Sequence, residues 1–317
     1  MKQPILAAAL AALLIVTPLA AASADEGGGQ RAVLVTGAST GIGRNITERL
    51  ASEGYFVFAG ARKEEDLAEL DAIDNVRALR LDVTSQEDVD AAVEFVKREG
   101  KGLYGLINNA GVAVVGPLSQ TPDSDLQFVF GVNIGGVVRV TRAFAPMIIE
   151  SKGRIMTTGS ISGILSSPTL GVYSMSKHAV EAYTDSLAVE MAEYGVSVSV
   201  IEPGNYKSKI RRTTMQRTKE KMQAAGMEPT DEQRARFEGT ADRELALKEP
   251  DEVSDAFMHA LFSDEPKRRY MVVPNAEEAE RTIRKAIEEL AQLNEWQAYS
   301  FDREQLVKML DQALSNL

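Results

Sequence analysis

One junction constrains this chain more than any other. The apolar stretch Arg31-Ala32-Val33-Leu34-Val35-Thr36 runs directly into Gly37-Ala38-Ser39-Thr40-Gly41-Ile42-Gly43. Apolar residues in unbroken succession, rather than at alternate positions, suit a strand buried on both faces of a parallel sheet. The glycines then turn the chain, and residues 45–54 continue it as a helix. A parallel neighbour has to be reached by a crossover, so a strand–turn–helix unit at the start predicts more of the same.

The rest of the chain repeats the unit. Strands are expected over residues 55–61, 76–81, 103–108, 154–160, 196–202 and 270–273. Helices are expected over 64–73, 87–99 with Ser85 as cap, 125–151 and 173–194. This predicts an α/β fold: a Rossmann-like, doubly wound parallel sheet of about seven strands with helices on both faces. In such sheets ligands bind at the carboxyl ends of the strands. Gly37, Ala61, Asp82, Asn109, Ser160 and Pro203 all fall just past expected strand ends.

Composition narrows the chemistry. The 317 residues, 44% hydrophobic and 26% charged, suffice for one large α/β domain with a proper core. A net charge of −11 argues against nucleic acid or an anionic membrane surface as partner. The absence of cysteine excludes disulfides, thiolate metal sites and cysteine nucleophiles. His178 and His259, the two histidines, exclude a multi-histidine metal site. The partner expected is therefore a small molecule.

Segments outside the repeat divide the chain. Residues 1–24 carry Lys2, an uncharged apolar run over 5–16, Pro18 and Ala22-Ser23-Ala24, the pattern of a secretory signal peptide or membrane anchor. That implies export or anchoring; a product starting near Arg31 would instead be cytoplasmic. Residues 25–30 read as a flexible lead-in, and 31–275 as the Rossmann-fold domain. Within it the polar stretch 205–249 interrupts the alternation and reads as a substrate lid or an ordinary surface insertion. Residues 276–317 form a C-terminal helical extension. Ile283, Ile287, Leu290 and Leu293 share one helix face, and Leu306, Met309, Leu310 and Leu314 another. These faces are expected to pack on the domain or on a neighbouring subunit, without a role toward a cofactor.

Three features carry chemistry. Gly37, Gly41 and Gly43 let the backbone approach a pyrophosphate at the following helix N-terminus. After the second strand, where an NAD site places an acid, stands Arg62; a guanidinium there pairs with a 2′-phosphate, which favours NADP(H) over NAD(H), with Lys63 assisting. Tyr173 and Lys177, four residues apart on one helix, share a face. A free phenol has a pKa of about 10, and an adjacent ammonium lowers it toward useful acid/base range. Ser160 adds a hydroxyl for the same substrate oxygen. Together these suit hydride transfer between a nicotinamide and an alcohol or carbonyl.

The chain resembles the short-chain dehydrogenase/reductase family, of the single-domain type of about 250 residues. The resemblance spans residues 32–274. It rests on residues 36–43, Leu81-Asp82-Val83, Asn108-Asn109-Ala110-Gly111, Val132-Asn133 with Gly136, Ser160, Tyr173-Ser174-Met175-Ser176-Lys177 and Pro203-Gly204. By that resemblance Tyr173 is the general acid/base. Lys177 lowers its pKa and binds the nicotinamide ribose, Ser160 orients the substrate oxygen, and Asn133 holds a relay water. Gly37, Ser39, Thr40, Gly41, Ile42 and Gly43 bind the pyrophosphate. Asp82 and Val83 contact the adenine, while Asn109, Ala110 and Gly111 line the cofactor cleft. Pro203 and Gly204 flank the nicotinamide, and Ser208 stands where the family often has threonine. The sequences around Lys177 and Pro203 are similar to members acting on steroids, retinoids and other apolar alcohols. The family also implies a homo-oligomer, dimer or tetramer. A non-catalytic NADP-binding sensor or scaffold, or an epimerase or lyase on the same fold, are the alternatives. His178 is expected to be structural; Ser162 and Tyr206 are expected either to line the substrate pocket or to be ordinary loop residues.

Overall fold

The structure, a computed structural model, describes residues 30–315. The signal-or-anchor segment 1–24 and nearly all of the lead-in lie outside the described residues. Seven parallel strands form one sheet: β1 Ala32–Thr36, β2 Phe56–Ala61, β3 Val76–Arg80, β4 Gly105–Asn108, β5 Arg154–Thr158, β6 Ser197–Pro203 and β7 Arg269–Val272. Their order is β3-β2-β1-β4-β5-β6-β7. Val33 of β1 lies opposite Val57 of β2 on one side and Gly105 of β4 on the other. The chain winds outward in opposite directions from β1 and β4, so their carboxyl ends border the crevice where such sheets bind ligands.

Successive residues of each strand face opposite layers, and both layers are apolar. Leu34, Phe58, Leu106 and Ile155 meet Phe144, Ile148 and Leu187 on one side. Val33, Val35, Ile107 and Met156 meet Ile46, Leu50, Phe257 and Leu261 on the other. The first layer is covered by α3 Gln86–Glu99, α5 Val137–Glu150 and α6 Gly171–Ala192, the second by α1 Gly41–Ser52, α2 Glu64–Asp71 and α10 Asp251–Phe262. Ser85 caps α3 as expected, its hydroxyl accepting from the Asp88 amide at 3.1 Å.

Four details depart from the sequence reading. Helix α1 begins at Gly41, inside the glycine run. The stretch expected as one helix over 125–151 is α4 Asp123–Phe130 and α5, joined by a π-helical turn, Gly131–Gly136. The polar insertion folds as α7 Ile210–Ala224, α8 Asp231–Glu238 and α9 Thr240–Leu245. Helix α10 was not anticipated, although Val253, Phe257, Ala260 and Leu261 recur at helical spacing and are fully buried.

The C-terminal extension is α11 Ala276–Glu295 and α12 Arg303–Ser315. Its contact with the domain is polar, which leaves a neighbouring subunit as the remaining expectation for its apolar face. Glu278 and Thr282 are buried, whereas Ile283, Ile287, Leu290 and Leu293 remain exposed. Among the described residues the apolar face covers no part of the domain.

Phe144 fills the centre of the first layer and is completely buried. Phe144→Ala is expected to cost about 3–5 kcal/mol. Urea denaturation checks this: the midpoint falls at an unchanged slope.

Candidate active site

The loops after β1 and β4 are tied into one unit by Thr36. Its hydroxyl oxygen accepts from the amides of Asn109 at 2.9 Å and Ala110 at 3.0 Å. The Asn109 side-chain amide donates back to the carbonyls of Thr36 and Gly37 at 3.1 and 3.2 Å. Gly37 has φ +65°, a left-handed conformation that costs a non-glycine residue energy, and a Cβ there would lie 2.9 Å from the Ala110 Cα. A Cβ on Gly43 would lie 2.3 Å from both the Gly37 carbonyl oxygen and the Asn109 amide nitrogen. Helix α1 thus rests directly on the loop backbone. Thr40 precedes α1 in extended conformation without a side-chain cap, and no acidic residue occupies the first turn. The first amides of α1 are therefore free for an anion. Ser208 closes this cradle: a Cβ on Gly41 would touch its Cβ at 3.0 Å. Such a cradle could hold the pyrophosphate of a dinucleotide: Gly37, Gly41, Gly43, Asn109, Ala110 and Ser208 pack around it, and Ser39, Thr40 and Ile42 belong to the same loop and helix start.

Arg62 and Asp82 stand together past the ends of β2 and β3, with 3.7 Å between guanidinium and carboxylate. Burial pushes the Asp82 carboxyl up, but two hydrogen bonds from Thr84 and the charge of Arg62 outweigh it, leaving the pKa below the ordinary value. Arg62 is 62% exposed, so the pair is open to solvent. Lys63 instead points to Glu65, at 3.1 Å. Val83 packs under Gly136 of the π turn.

Ser160, Tyr173, Lys177 and Asn133 meet beyond β4 and β5. Ser160 follows β5, and its hydroxyl lies on the side of the Tyr173 phenol, where it favours the ionised form. One helical turn along α6, the Lys177 ammonium donates to the Thr158 carbonyl at 2.7 Å and lies 5.6 Å from the centre of the Tyr173 ring. Asn133, 1% exposed on the π turn, donates to the Val112 carbonyl and to the Ser176 hydroxyl, both at 2.9 Å, and accepts from the Val112 amide at 2.9 Å. Ser176 in turn donates to the Tyr173 carbonyl at 2.7 Å. Gly111 leaves room here: a Cβ on it would stand 3.7 Å from the Asn133 oxygen and 4.0 Å from the Lys177 nitrogen.

The electrostatics depart from the sequence expectation at one point. Burial raises the Tyr173 phenol above its ordinary pKa, with the Ser160 hydroxyl opposing. Burial likewise lowers Lys177 to about 8, opposed by the charge of Glu181. Lys177 is turned to the Thr158 carbonyl, so in this arrangement it does not depress the phenol.

Tyr206, Ser162 and His178 find their partners within the protein. Tyr206 belongs to the core: it is 4% exposed, and its hydroxyl donates to Glu252 of α10. Ser162 turns its amide to the Ser160 hydroxyl at 3.1 Å. His178 bonds the Ser174 carbonyl of its own helix at 2.9 Å. Helix α7 crosses to α4, where Arg217 and Lys221 pair with Asp125, and Arg217 lies 3.7 Å over the Phe128 ring. Next to this crossing Val114, Val129 and Val172 form a small buried apolar cluster. The functional residue that sequence reasoning missed is Glu278 of α11. It accepts from the Asn205 amide at 2.9 Å and from the Asn205 side chain at 2.8 Å, directly beside Gly204. The only sequence signal was Asn275, three residues earlier, in capping position.

Comparison with known proteins gives a consistent picture. Residues 31–219 match the family described as short chain dehydrogenase. The mitochondrial D-beta-hydroxybutyrate dehydrogenase of Bos taurus is 35% identical over 273 residues, covering 76% of each chain. The NADPH-dependent 3-dehydrocapnine reductase of Ornithobacterium rhinotracheale is 35% identical over 256 residues, 77% of this chain and 88% of that one. Among solved structures, a short chain dehydrogenase/reductase from Burkholderia phymatum in complex with NAD superposes with a TM-score of 0.72 at 26% identity, over 86% of this chain and 99% of that one.

The cradle makes Gly43 intolerant of any side chain. Gly43→Ala is expected to weaken dinucleotide binding by at least about tenfold, since α1 must move off the loop by a tenth of its own diameter or more. Titration calorimetry with NADPH and NADH measures it, with circular dichroism confirming that the helices are retained.

Proposed function

The chain belongs to the short-chain dehydrogenase family, and we propose that within it this protein is an NADP(H)-preferring member that reduces an apolar carbonyl, or oxidises the corresponding alcohol, with Tyr173 as general acid/base. Family membership makes it an NAD(P)-dependent oxidoreductase of hydroxyl and carbonyl groups in a small-molecule substrate. One observation carries the finer reading: Ser160, Tyr173, Lys177 and Asn133 converge beside the glycine cradle at the carboxyl ends of β4 and β5.

The bound cofactor supplies or accepts the hydride. Everything else falls to side chains of this chain. Ser160 and Tyr173, neighbours in the site, present two hydroxyls to one substrate oxygen. With its pKa raised by burial, the Tyr173 phenol keeps its proton at neutral pH and can deliver it to the oxygen as charge develops there. Lys177 is within a turn of that phenol and is the candidate to hold the ribose hydroxyls of the cofactor. Asn133 sets the backbone of the Val112 loop and, through Ser176, of the turn bearing Tyr173.

Arg62 supports the preference for NADP(H). Among the described residues its one carboxylate partner is Asp82 across an exposed 3.7 Å gap, a contact weak enough to yield to a 2′-phosphate. The NADPH-dependent relative agrees with this reading. The apolar cluster at Val114, Val129 and Val172, with α7 tethered across α4, supports a hydrophobic substrate of steroid or retinoid type under a lid formed by residues 205–249.

Tyr173→Phe is expected to lower turnover about 10²–10⁴-fold while changing the NADPH dissociation constant little. Steady-state kinetics over a panel of ketones and aldehydes, with fluorescence titration of the cofactor, checks both. Arg62→Asp is expected to lower kcat/KM with NADPH by about tenfold or more, the loss of one charge-assisted bidentate contact, and to shift preference toward NADH. An unchanged cofactor ratio would remove Arg62 as the phosphate partner.

A further inference from the structure

Beneath the site lies a pair of acids to which the chemistry above assigns no role. Tyr173, Lys177 and Glu181 follow one another at four-residue intervals on α6. Glu181 packs under the loop that carries Ser160: a Cβ on Gly159 would lie 3.1 Å from its Oε1, and one on Gly163 would lie 2.9 Å from it. Glu202, near the end of β6, is 2% exposed and faces the same place. The Oε1 atoms of Glu181 and Glu202 are both buried and lack a hydrogen-bond donor. Two ionised carboxylates here would have to share one cation, Arg269, with Asp185 besides, and like charges held together in a buried place favour the neutral form of one of them. A single proton between them satisfies both.

The surrounding charges decide which acid holds it. From β7, Arg269 reaches Glu181 at 3.2 Å, Glu202 at 3.6 Å and Asp185 at 2.7 Å. Arg268 stands 3.9 Å from Asp185. From α6 come Lys177 above and Asp185 below. Arg269 favours Glu181 as the ionised member, and Glu202, the deeper of the two, as the protonated one. Burial, followed by the charge and hydrogen bond of Glu181, pushes Glu202 up to about 8.

We propose that Glu181 and Glu202 share one proton under the floor of the active site, and that the negative charge remaining on Glu181 keeps Lys177 a protonated, aimed ammonium. Glu181 is then a positioning residue, acting on the reaction only through Lys177. Burial alone would drive Lys177 toward its neutral form, in which it loses its grip on a ribose. Glu181 supplies the opposing charge from the side away from the substrate, where bound ligands do not displace it. This inference rests on the roles given above to Tyr173 and Lys177.

The test is the pH profile of carbonyl reduction by the full chain. Lys177 must be protonated, so turnover falls as pH rises through its pKa of about 8. Removing the Glu181 charge lowers that pKa, so in Glu181→Gln the alkaline limb moves to lower pH, by about half a unit or more. Glu181→Asp, which keeps the charge, holds the limb near its original position. An alkaline limb in Glu181→Gln that coincides with that of the unmodified chain overturns the inference. Infrared spectroscopy reads the shared proton without turnover. A carboxylic-acid carbonyl band is expected at neutral pH, lost on titration through about 8 and missing in Glu202→Gln. Its absence from the unmodified chain overturns the shared proton even where Glu181→Gln fails to fold. Tyr173→Phe run alongside separates the two levels: retained turnover there defeats the site assignment itself, whereas lost turnover with an unmoved Glu181→Gln limb defeats only the role of Glu181.

Discussion

The site depends first on the Thr36 hydroxyl. It is 1% exposed at the end of β1, and it accepts from two amides of the loop after β4. Hydrogen bonds of this kind contribute only about 1 kcal/mol each, but the amides they satisfy are themselves withdrawn from water. Losing the acceptor would leave both unpaired at about 1–3 kcal/mol apiece. The greater effect is geometric. With the two loops fastened, Gly37 approaches Ala110 as closely as backbone allows, and Asn109 can reach Thr36, Gly37 and, on β5, the Thr158 hydroxyl at 3.2 Å. Thr158 is also the residue whose carbonyl receives Lys177. A chain of short contacts therefore runs from the glycine loop to Lys177 through residues at the ends of three neighbouring strands.

Helix α6 is the second organising element. Its faces are not divided simply into apolar and polar. Val172, Val180, Leu187 and Met191 fill the core, while Ser174, Ser176, Lys177 and Thr184 are buried beside them. Buried polar groups are normally hydrogen-bonded or held by charge; for Ser176 and Lys177 the partners come from outside the helix, whereas the Ser174 and Thr184 hydroxyls find none among the described residues. Asn133 serves Ser176, Thr158 serves Lys177, and the acids below balance the ammonium. The π turn at Gly131–Gly136 has a clear part in this. It breaks the long helix after β4 at the point where Asn133 must turn both its amide and its carbonyl toward the Val112 loop and α6.

What the residues alone revealed, and what they did not, follows from how far each interaction reaches along the chain. The strands were legible because a sheet covered on both faces demands unbroken apolar runs. The glycines and the Tyr173–Lys177 pair were legible because their geometry is local, one turn or one loop. Helix α10 escaped notice because it follows directly on a polar insertion, which draws the eye away from the helical spacing of Val253, Phe257, Ala260 and Leu261. Tyr206 sits two residues past Gly204 and suggested a pocket wall; Glu252, 46 residues away, draws its hydroxyl into the core. The direction of the Tyr173 shift was likewise out of reach. It is set by burial under the β5 and β4 loops and by a carbonyl 19 residues from Lys177 that competes for the ammonium.

Glu278 extends the same reasoning to the C-terminal helices. The loop after β6 leaves the sheet with irregular backbone, and its amides need acceptors once they are covered. No strand or helix of the sheet provides one for Asn205; the carboxylate of Glu278 does, with both oxygens. This explains why α11 meets the domain through a polar turn and leaves Ile283, Ile287, Leu290 and Leu293 outside. Had the apolar face packed inward, the carboxylate would point to solvent and the Asn205 amide would be buried without a partner. The extension is therefore attached where the domain needs a hydrogen-bond acceptor rather than where it needs apolar cover. The loop it secures is the one that follows Pro203 and Gly204 at the end of β6 and, three residues beyond Asn205, brings Ser208 against Gly41 of the glycine loop.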